Sequence, residues 1–316
     1  MTAPPDREPQ RWEKLGRVWV PNQVAAGERA WARTHAALPT TTMLDEERIR
    51  VYVACLDEAK VGRIGYVDVA ARDPREVLAV SERPVLDVGA PGTFDDNGVN
   101  PLWLLSHEGR LYLYYVGWQL GTRVRYYLFA GLASSDDGGA SFQRVSQAPL
   151  LDRGDGELFV RTAPCVRREG DLWKMWYIGG DSWVEGRGKR LPRYGLRYLE
   201  SDDPCRWGRP GKLVMDVRGG DEHGFGRPFV VKEGDRYRMW YSVRTISAGY
   251  RLGYAESPDG LAWERMDDAV GIAPSPAGWD SEMVCYSFLQ STRYGTYLFY
   301  NGNDYGATGF GVAVRR

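Results

Sequence analysis

The chain has 316 residues, 43% of them apolar and 13% aromatic, with a formal net charge of −1 at pH 7. A charge this balanced offers no overall field to attract nucleic acid or an anionic membrane surface, so neither is expected as a partner. Cys55, Cys165, Cys205 and Cys285 lie far apart with no metal-type spacing, which reads as small buried apolar residues of a reduced protein.

The start, MTAPPDREPQRW, holds proline and charge but no apolar run, so no leader or membrane anchor is expected and the chain reads as cytoplasmic. From His35 a degenerate phrase begins, HAALPTTTMLDEERIRVYVA. It returns as GTFDDNGVNPLWLLSHEGRLYLYYVG from Gly92, RTAPCVRREGDLWKMWYIGG from Arg161, GRPFVVKEGDRYRMWYSV from Gly226 and MVCYSFLQSTRYGTYLFYNG from Met283. Equivalent aromatics are Tyr52, Tyr114, Trp176, Trp240 and Phe299, a period of about 60 residues that marks a repeat architecture. Each copy contains two strands joined by a tight turn. A short alternating run follows (64–67, 131–133, 195–198, 252–255, 311–314), then a fourth strand such as SFQRVSQAPLL or LAWERMDDAVGI. The last copy stops after its third strand, and residues 11–14 with 18–20 match 262–265. The expectation is therefore an all-β, five-bladed β-propeller of four-stranded antiparallel blades. It forms one domain over residues 1–316, closed by the N-terminal strand pairing with the C-terminal blade.

Two sets of loops follow from that topology. One set is short and includes the turns SDDGGASF, SDDPCRW and SPDGLAW, whose Asp side chains are expected to bond local backbone. The other is long and chemically rich: Trp118, Gln119, Arg123 and Arg125; Asp181, Trp183, Glu185, Arg187, Lys189, Arg190 and Arg193; Asn303, Asp304 and Tyr305. The heads of the innermost strands open on the same face, placing Thr34, Asp96, Val160, His223 and Glu282 at one level. Arg33, His35, Asp95, Asn97, Asn100, Glu157, Arg161, Glu222, Arg227 and Asp280 lie nearby. In one reading this is an ion-pair network, with Arg33, Arg161 and Arg227 neutralising Asp96, Glu222 and Glu282. In the other, Asp96 and Glu282 or Glu157 are working carboxylates, and the arginines, His223 and the remaining polar groups, including Asp95, Asn97, Asn100, Glu222, Asp280 and Tyr305, hold substrate. Trp118 and Trp183 would then offer flat faces to a ring. No phosphate-cradling glycine loop is present, and no cofactor or metal is expected.

The phrases GTFDDNGV, SDDGGASFQRV, GYAESPDGLAWERMDD and GWDSEMVCYSF resemble the sugar-processing five-bladed propellers across nearly the whole chain. That superfamily comprises arabinanases, levansucrases and invertases (glycoside hydrolase families 43, 32 and 68) and the mannoside phosphorylases of family 130. The resemblance is closer to bacterial proteins known only as arabinanase- or levansucrase-like, found among polysaccharide or secondary-metabolite biosynthesis genes. It implies a carbohydrate-active enzyme, glycosidase- or phosphorylase-like. Hydrolases of this class place an Asp at the head of blade one, an Asp in blade two and a Glu in blade three. Here blade one offers Arg33-Thr34-His35 instead, while Asp95 or Asp96 and Glu157 stand for the other two. The arginines and the basic 187–193 loop point to an anionic substrate: a phosphorylated sugar, a nucleotide sugar, or inorganic phosphate beside a glycoside. Two alternatives stay open: a non-hydrolytic cyclase, lyase or transferase using His35 as acid–base, and a sugar-binding propeller without catalysis.

Overall fold

The computed structural model describes residues 9–21, 29–208 and 210–316. Of the start read above for a leader, residues 1–8 lie outside the described residues. The chain opens with β1 (Trp12–Trp19), β2 (Thr34–Met43), β3 (Arg48–Leu56), β4 (Gly62–Ala70) and β5 (Val77–Val80). It continues with β6 (Val99–His107), β7 (Arg110–Leu120), β8 (Tyr126–Ser135), β9 (Gln143–Arg144), β10 (Val160–Glu169), β11 (Leu172–Gly186), β12 (Lys189–Ser201) and β13 (Lys212–Met215). It ends with β14 (Glu222–Glu233), β15 (Arg236–Thr245), β16 (Arg251–Ser257), β17 (Glu264–Arg265), β18 (Cys285–Thr292), β19 (Gly295–Asn301) and β20 (Phe310–Arg315). Among the described residues the helical content is one α turn, α1 (Asn303–Gly306), and a 3-10 turn, Asp267–Ala269.

Consecutive strands pair antiparallel as meanders because each tight turn returns the chain at once. β2 to β5, β6 to β9, β10 to β13 and β14 to β17 pair in order, while β18, β19 and β20 are completed by β1, with Trp12 opposite Arg315. Parallel bridges at Val160–Leu128 and Tyr194–Gly224 link three meanders into a twelve-stranded sheet, so the hydrogen-bonded sheets do not close on themselves. Packing does make a circuit: β2 touches β6, β6 touches β10, β10 touches β14, β14 touches β18, and β18 returns to β2.

The core lies between meanders. Tyr52, Tyr114, Trp176, Trp240 and Phe299 are all fully buried. Three of them reach into the next meander's Ser-x-Asp turn: Tyr52 Oη donates to Gly139 O at 2.8 Å, Tyr114 Oη to Pro204 O at 2.5 Å, and Trp176 Nε1 to Gly260 O at 2.7 Å. The turn carboxylates bond local backbone, Asp259 accepting the N–H groups of Leu261 and Ala262, each at 2.8 Å.

Each first strand carries a bulge just inside its head, at Ala37/Thr40, Pro101/Trp103, Thr162/Cys165, Gly226/Phe229 and Cys285/Phe288. Proline recurs there (Pro39, Pro101, Pro164, Pro228) because a residue without an N–H is tolerated where the ladder is interrupted. At one bulge Arg227 adopts a left-handed φ of 38° and its side chain turns into the circuit. Its guanidinium donates to Pro39 O (2.8 Å), Thr40 Oγ1 (2.6 Å), Leu102 O (3.3 Å) and Tyr286 O (3.3 Å), tying β14 to three other first strands. Burial pulls its pKa down to about 9, still above neutrality, so it stays charged and is satisfied by neutral oxygens.

Candidate functional site

Several expected ligand-facing groups are engaged by partners within the fold. The tyrosine following the repeated aromatic receives a carboxylate from the preceding loop. Tyr115 Oη donates to Asp95 at 2.9 Å, Tyr177 to Glu157 at 2.7 Å, and Tyr300 to Asp280 at 3.0 Å. A cation completes each set: Arg144 on Asp95 at 2.7 Å, Arg161 and Arg197 on Glu157 at 2.9 and 3.1 Å, Lys14 on Asp280 at 2.6 Å. The fourth set is rearranged, Tyr241 donating to Asp267 at 2.5 Å while Arg265 pairs with both Glu222 (2.8 Å) and Asp267 (2.6 Å). Gly179 leaves room for one such carboxylate, since a Cβ there would lie 2.3 Å from Glu157 Oε1. Burial raises the pKa of Glu157, against its phenol and guanidinium partners.

These contacts give Asp95, Glu157, Arg161, Glu222, Arg227 and Asp280 partners within the fold, in keeping with the ion-pair reading of the strand heads, though with other pairings. Arg161 pairs with Glu157, Glu222 with Arg265, and Arg227 with backbone oxygens, not in the expected scheme with Asp96 and Glu282. The physical reason is that a buried carboxylate needs a cation and a donor at contact distance, and apart from Arg161, four residues from Glu157, those partners come from other strands.

The common level of strand heads is also offset. β6 begins at Val99 and β18 at Cys285, which leaves Asp96 and Glu282 in the preceding loops. Asp96 closes its own turn by accepting the Gly92 N–H at 2.8 Å. Asn97 is half-buried and donates its N–H to Trp118 O, while Asn100 Oδ1 accepts Trp118 Nε1 at 2.7 Å. Trp118 meets Tyr126 edge-on at 5.2 Å and Trp183 stacks on Phe159 at 4.4 Å, so each indole is half-committed to packing. Arg33 and Thr34 are exposed at the head of β2, and His35 Nδ1 lies 3.0 Å from Thr34 Oγ1.

What the structure does bring together is a cavity of about 510 Å³ lined by Arg187, His223, Arg244, Tyr250, Glu282, Asp304 and Tyr305, among others. His223 is 3% exposed and donates Nδ1–H to Pro192 O at 2.9 Å, which leaves Nε2 with its lone pair. Burial lowers its pKa, so the imidazole is neutral near pH 7. Arg244 donates to Tyr194 Oη, lies 5.0 Å from the Tyr250 ring centroid, and has no ion-pair partner among the described residues. The backbone of Glu282 is pinned on both sides, its N–H by Asn303 Oδ1 at 2.7 Å and its carbonyl by Arg251 at 2.7 Å, while the side chain is exposed. Asp304 and Tyr305 sit in left-handed backbone (φ 48° and 57°), and Tyr305 meets Tyr250 edge-on at 5.2 Å. His35 is close enough to feel the charge of Asp304, though burial dominates and lowers its pKa.

Of the expected residues, Glu282, His223 and Tyr305 thus share one cavity. Arg244 and Tyr250 were missed as site residues, while Asp304 was read only as a member of a chemically rich loop. A signal existed for Arg244, which occupies the position held by Trp118, Gly180 and Asn303 in other copies of the repeat. Chemically, the cavity combines two carboxylates and a neutral imidazole for proton transfer with guanidinium groups suited to an anion. Among the described residues no group of three or more His, Cys, Asp or Glu side chains could hold a metal ion, and no helix is long and apolar enough to cross a membrane.

No family model matches the chain. In fold it is similar to a glycosyl hydrolase from Bacteroides ovatus, with a TM-score of 0.73 and 15% identity over 99% of this chain and 96% of that one. It is similar also to a thermostable family-43 glycoside hydrolase, with a TM-score of 0.64 and 16% identity over 89% of each. A third similar structure comes from the GH130 family of mannoside phosphorylases containing glycoside hydrolases that target β-1,2 mannosidic linkages in Candida mannan, with a TM-score of 0.72 and 14% identity over 99% and 96%. At these identities the likeness is one of fold. By sequence, the chain is 35% identical over 303 residues (96% of its own length and 98% of the relative's) to the uncharacterised protein Rv1502 of Mycobacterium tuberculosis, and it belongs to that protein's family.

Proposed function

We propose that this chain is a carbohydrate-active enzyme, glycosidase- or phosphorylase-like, working in the cavity of Glu282, Asp304, His223 and Arg244. In this reading the circuit of first strands is the hub of a five-bladed propeller, a single domain over residues 1–316, with β1 completing the last blade. Supporting it are the names of the structural neighbours, which include glycoside hydrolases and mannoside phosphorylases. A volume of about 510 Å³ is also of the size that holds small ligands. The observation that carries the reading is the contrast among carboxylates. Asp95, Glu157 and Asp280 are buried in ion pairs, whereas Glu282 and Asp304 line the cavity and enter no ion pair among the described residues.

Glu282 and Asp304 form the acid–base pair, His223 orients a substrate hydroxyl through Nε2, and Arg244 with Arg187 receives an anionic group. That group is the phosphate of a sugar phosphate or nucleotide sugar, or inorganic phosphate acting as the glycosyl acceptor. The free cysteines go with a reducing, cytoplasmic setting.

The test is turnover of a panel of aryl glycosides and sugar phosphates, with and without inorganic phosphate. Glu282→Gln and Asp304→Asn are each expected to lower turnover by about 10²–10⁴-fold. Variants as active as the parent would remove this reading, and binding without turnover by the parent would leave a sugar-binding propeller. A second reading, a cyclase, lyase or transferase, is favoured by the charge of Asp304, which acts on the His35 imidazole. Loss of turnover with retained binding in His35→Ala would select it.

A further inference from the structure

The β11–β12 hairpin runs well past the rest of its meander, pairing out to Gly186–Lys189. Its tip contributes Arg187 and Leu191 to the cavity described above, and on its other flank Trp183, Lys189 and Arg190 line a second cavity of about 510 Å³ with Arg123, Val124 and Arg125. The tip is docked: a Cβ on Gly186 would lie 2.9 Å from Ile246, so the wall between the two cavities is packed against the end of β15. Four cations and no acid line the second cavity. Arg190 is matched by Glu185 at 3.2 Å, but Arg123, Arg125 and Lys189 have no ion-pair partner among the described residues. Many other exposed arginines of this protein do have one, such as Arg48 with Asp45, Arg75 with Asp73, Arg110 with Asp136 and Arg316 with Glu13. Like charges held together raise the local potential, and an anion relieves it. Trp183 adds a half-buried indole whose ring is held by Phe159 at 4.4 Å, a rigid apolar wall beside the cations.

We propose that this second cavity is a binding subsite for an anionic segment of the ligand, carboxylate or phosphate oxygens on a sugar chain, with the hairpin as the wall it shares with the first cavity. The inference rests on the carbohydrate reading for the nature of the chain, not for the anion. Arginine forks take such oxygens in pairs, and Trp183 takes the apolar face of the adjoining sugar ring.

The test is binding to the full chain, followed by tryptophan fluorescence and calorimetry, of sodium triphosphate, a short oligogalacturonate, its neutral methyl ester and an oligothymidylate. At least one of the first two binds, more weakly as salt rises. The exposed pair Arg123→Gln with Lys189→Gln weakens it by about tenfold or more, the loss of at least one charge-assisted contact. Arg48→Gln, an exposed arginine that lines neither cavity, leaves this binding unchanged. Preference for oligogalacturonate assigns the carboxylate source, and preference for triphosphate the phosphate source. Binding of neither anion, equal binding of the methyl ester, or an unaffected double variant overturns the proposal. So does tighter binding of oligothymidylate, which would make the surface a nucleic-acid contact. Anion binding without turnover on any panel would sink the enzymatic reading and leave the subsite standing.

Discussion

His223 enters its cavity uncharged, and this has a consequence that pH can expose. Its pKa is lowered from the ordinary 6.5, chiefly by burial. Between the folded value and 6.5 the unfolded chain binds a proton that the folded chain refuses, so stability is full above 6.5 and falls as pH drops through that window. Thermal melting should therefore decline on acidification from neutrality to about pH 5, and less so in His223→Asn. Imidazole NMR should show His223 titrating below 6.5; titration above that value would contradict the neutral Nε2 assigned here. Arg244 is the other residue on which the cavity depends. Arg244→Lys keeps the charge but loses the two-pronged geometry, and should weaken an anionic ligand by about tenfold, with Arg244→Met weaker still. Equal affinity in all three proteins for inorganic phosphate or a sugar phosphate would remove Arg244 from the anion's path.

Between neighbouring meanders, the unit that repeats is a hook and a latch. The hook is an aromatic donor reaching the carbonyl of the next Ser-x-Asp turn, as Trp176 reaches Gly260 O. Gly260 has φ 77°, and a Cβ there would stand 2.8 Å from Trp176, so it combines a left-handed backbone with close approach. Gly260→Ala should cost about 2 kcal/mol or more, read as a lower urea midpoint at unchanged slope. Tyr52→Phe, which removes only the hydroxyl that reaches Gly139 O, should cost about 1 kcal/mol. The latch is the tyrosine on a buried carboxylate. Tyr177→Phe leaves Glu157 with one donor fewer and should cost about 1–3 kcal/mol. A variant with unaltered stability but lost turnover would return Glu157 to the list of reacting groups.

Over the whole molecule, the packed circuit of strands is tied together by contacts remote in sequence. β1 joins β20, Lys14 reaches Asp280, and Trp12 packs edge-on against Trp240 at 6.3 Å, so the chain's start fills a gap left by its end. At the circuit's centre Arg227 supplies donors to oxygens of three other first strands. Arg227→Met leaves those oxygens unmatched and should lower stability by about 2–4 kcal/mol, with ligand affinity retained below the melting point. Lost affinity at unchanged melting would place Arg227 in the ligand site after all.

Much of this was legible along the chain. Period, turn chemistry and strand alternation are local properties, and so the copies beginning near His35, Gly92, Arg161, Gly226 and Met283 each announce a meander, and the unmatched strand near Trp12 announces its partner. The same holds for the long loop that carries Tyr305, whereas Glu282, expected at a strand head, lies in the loop before β18. What could not be read was which polar groups cancel one another. Asp95 meets Arg144, Glu157 meets Arg197, and Asp280 meets Lys14 across the fold. Those pairings, formed where burial makes an isolated charge costly, engage several of the expected site residues within the fold. The sequence by itself determined the repeating strands and the chemically rich set of loops. Only the tertiary structure decided that Glu282, Asp304, His223 and Arg244 line one cavity, because they come from separate strands and loops whose relative placement depends on bulges and packing.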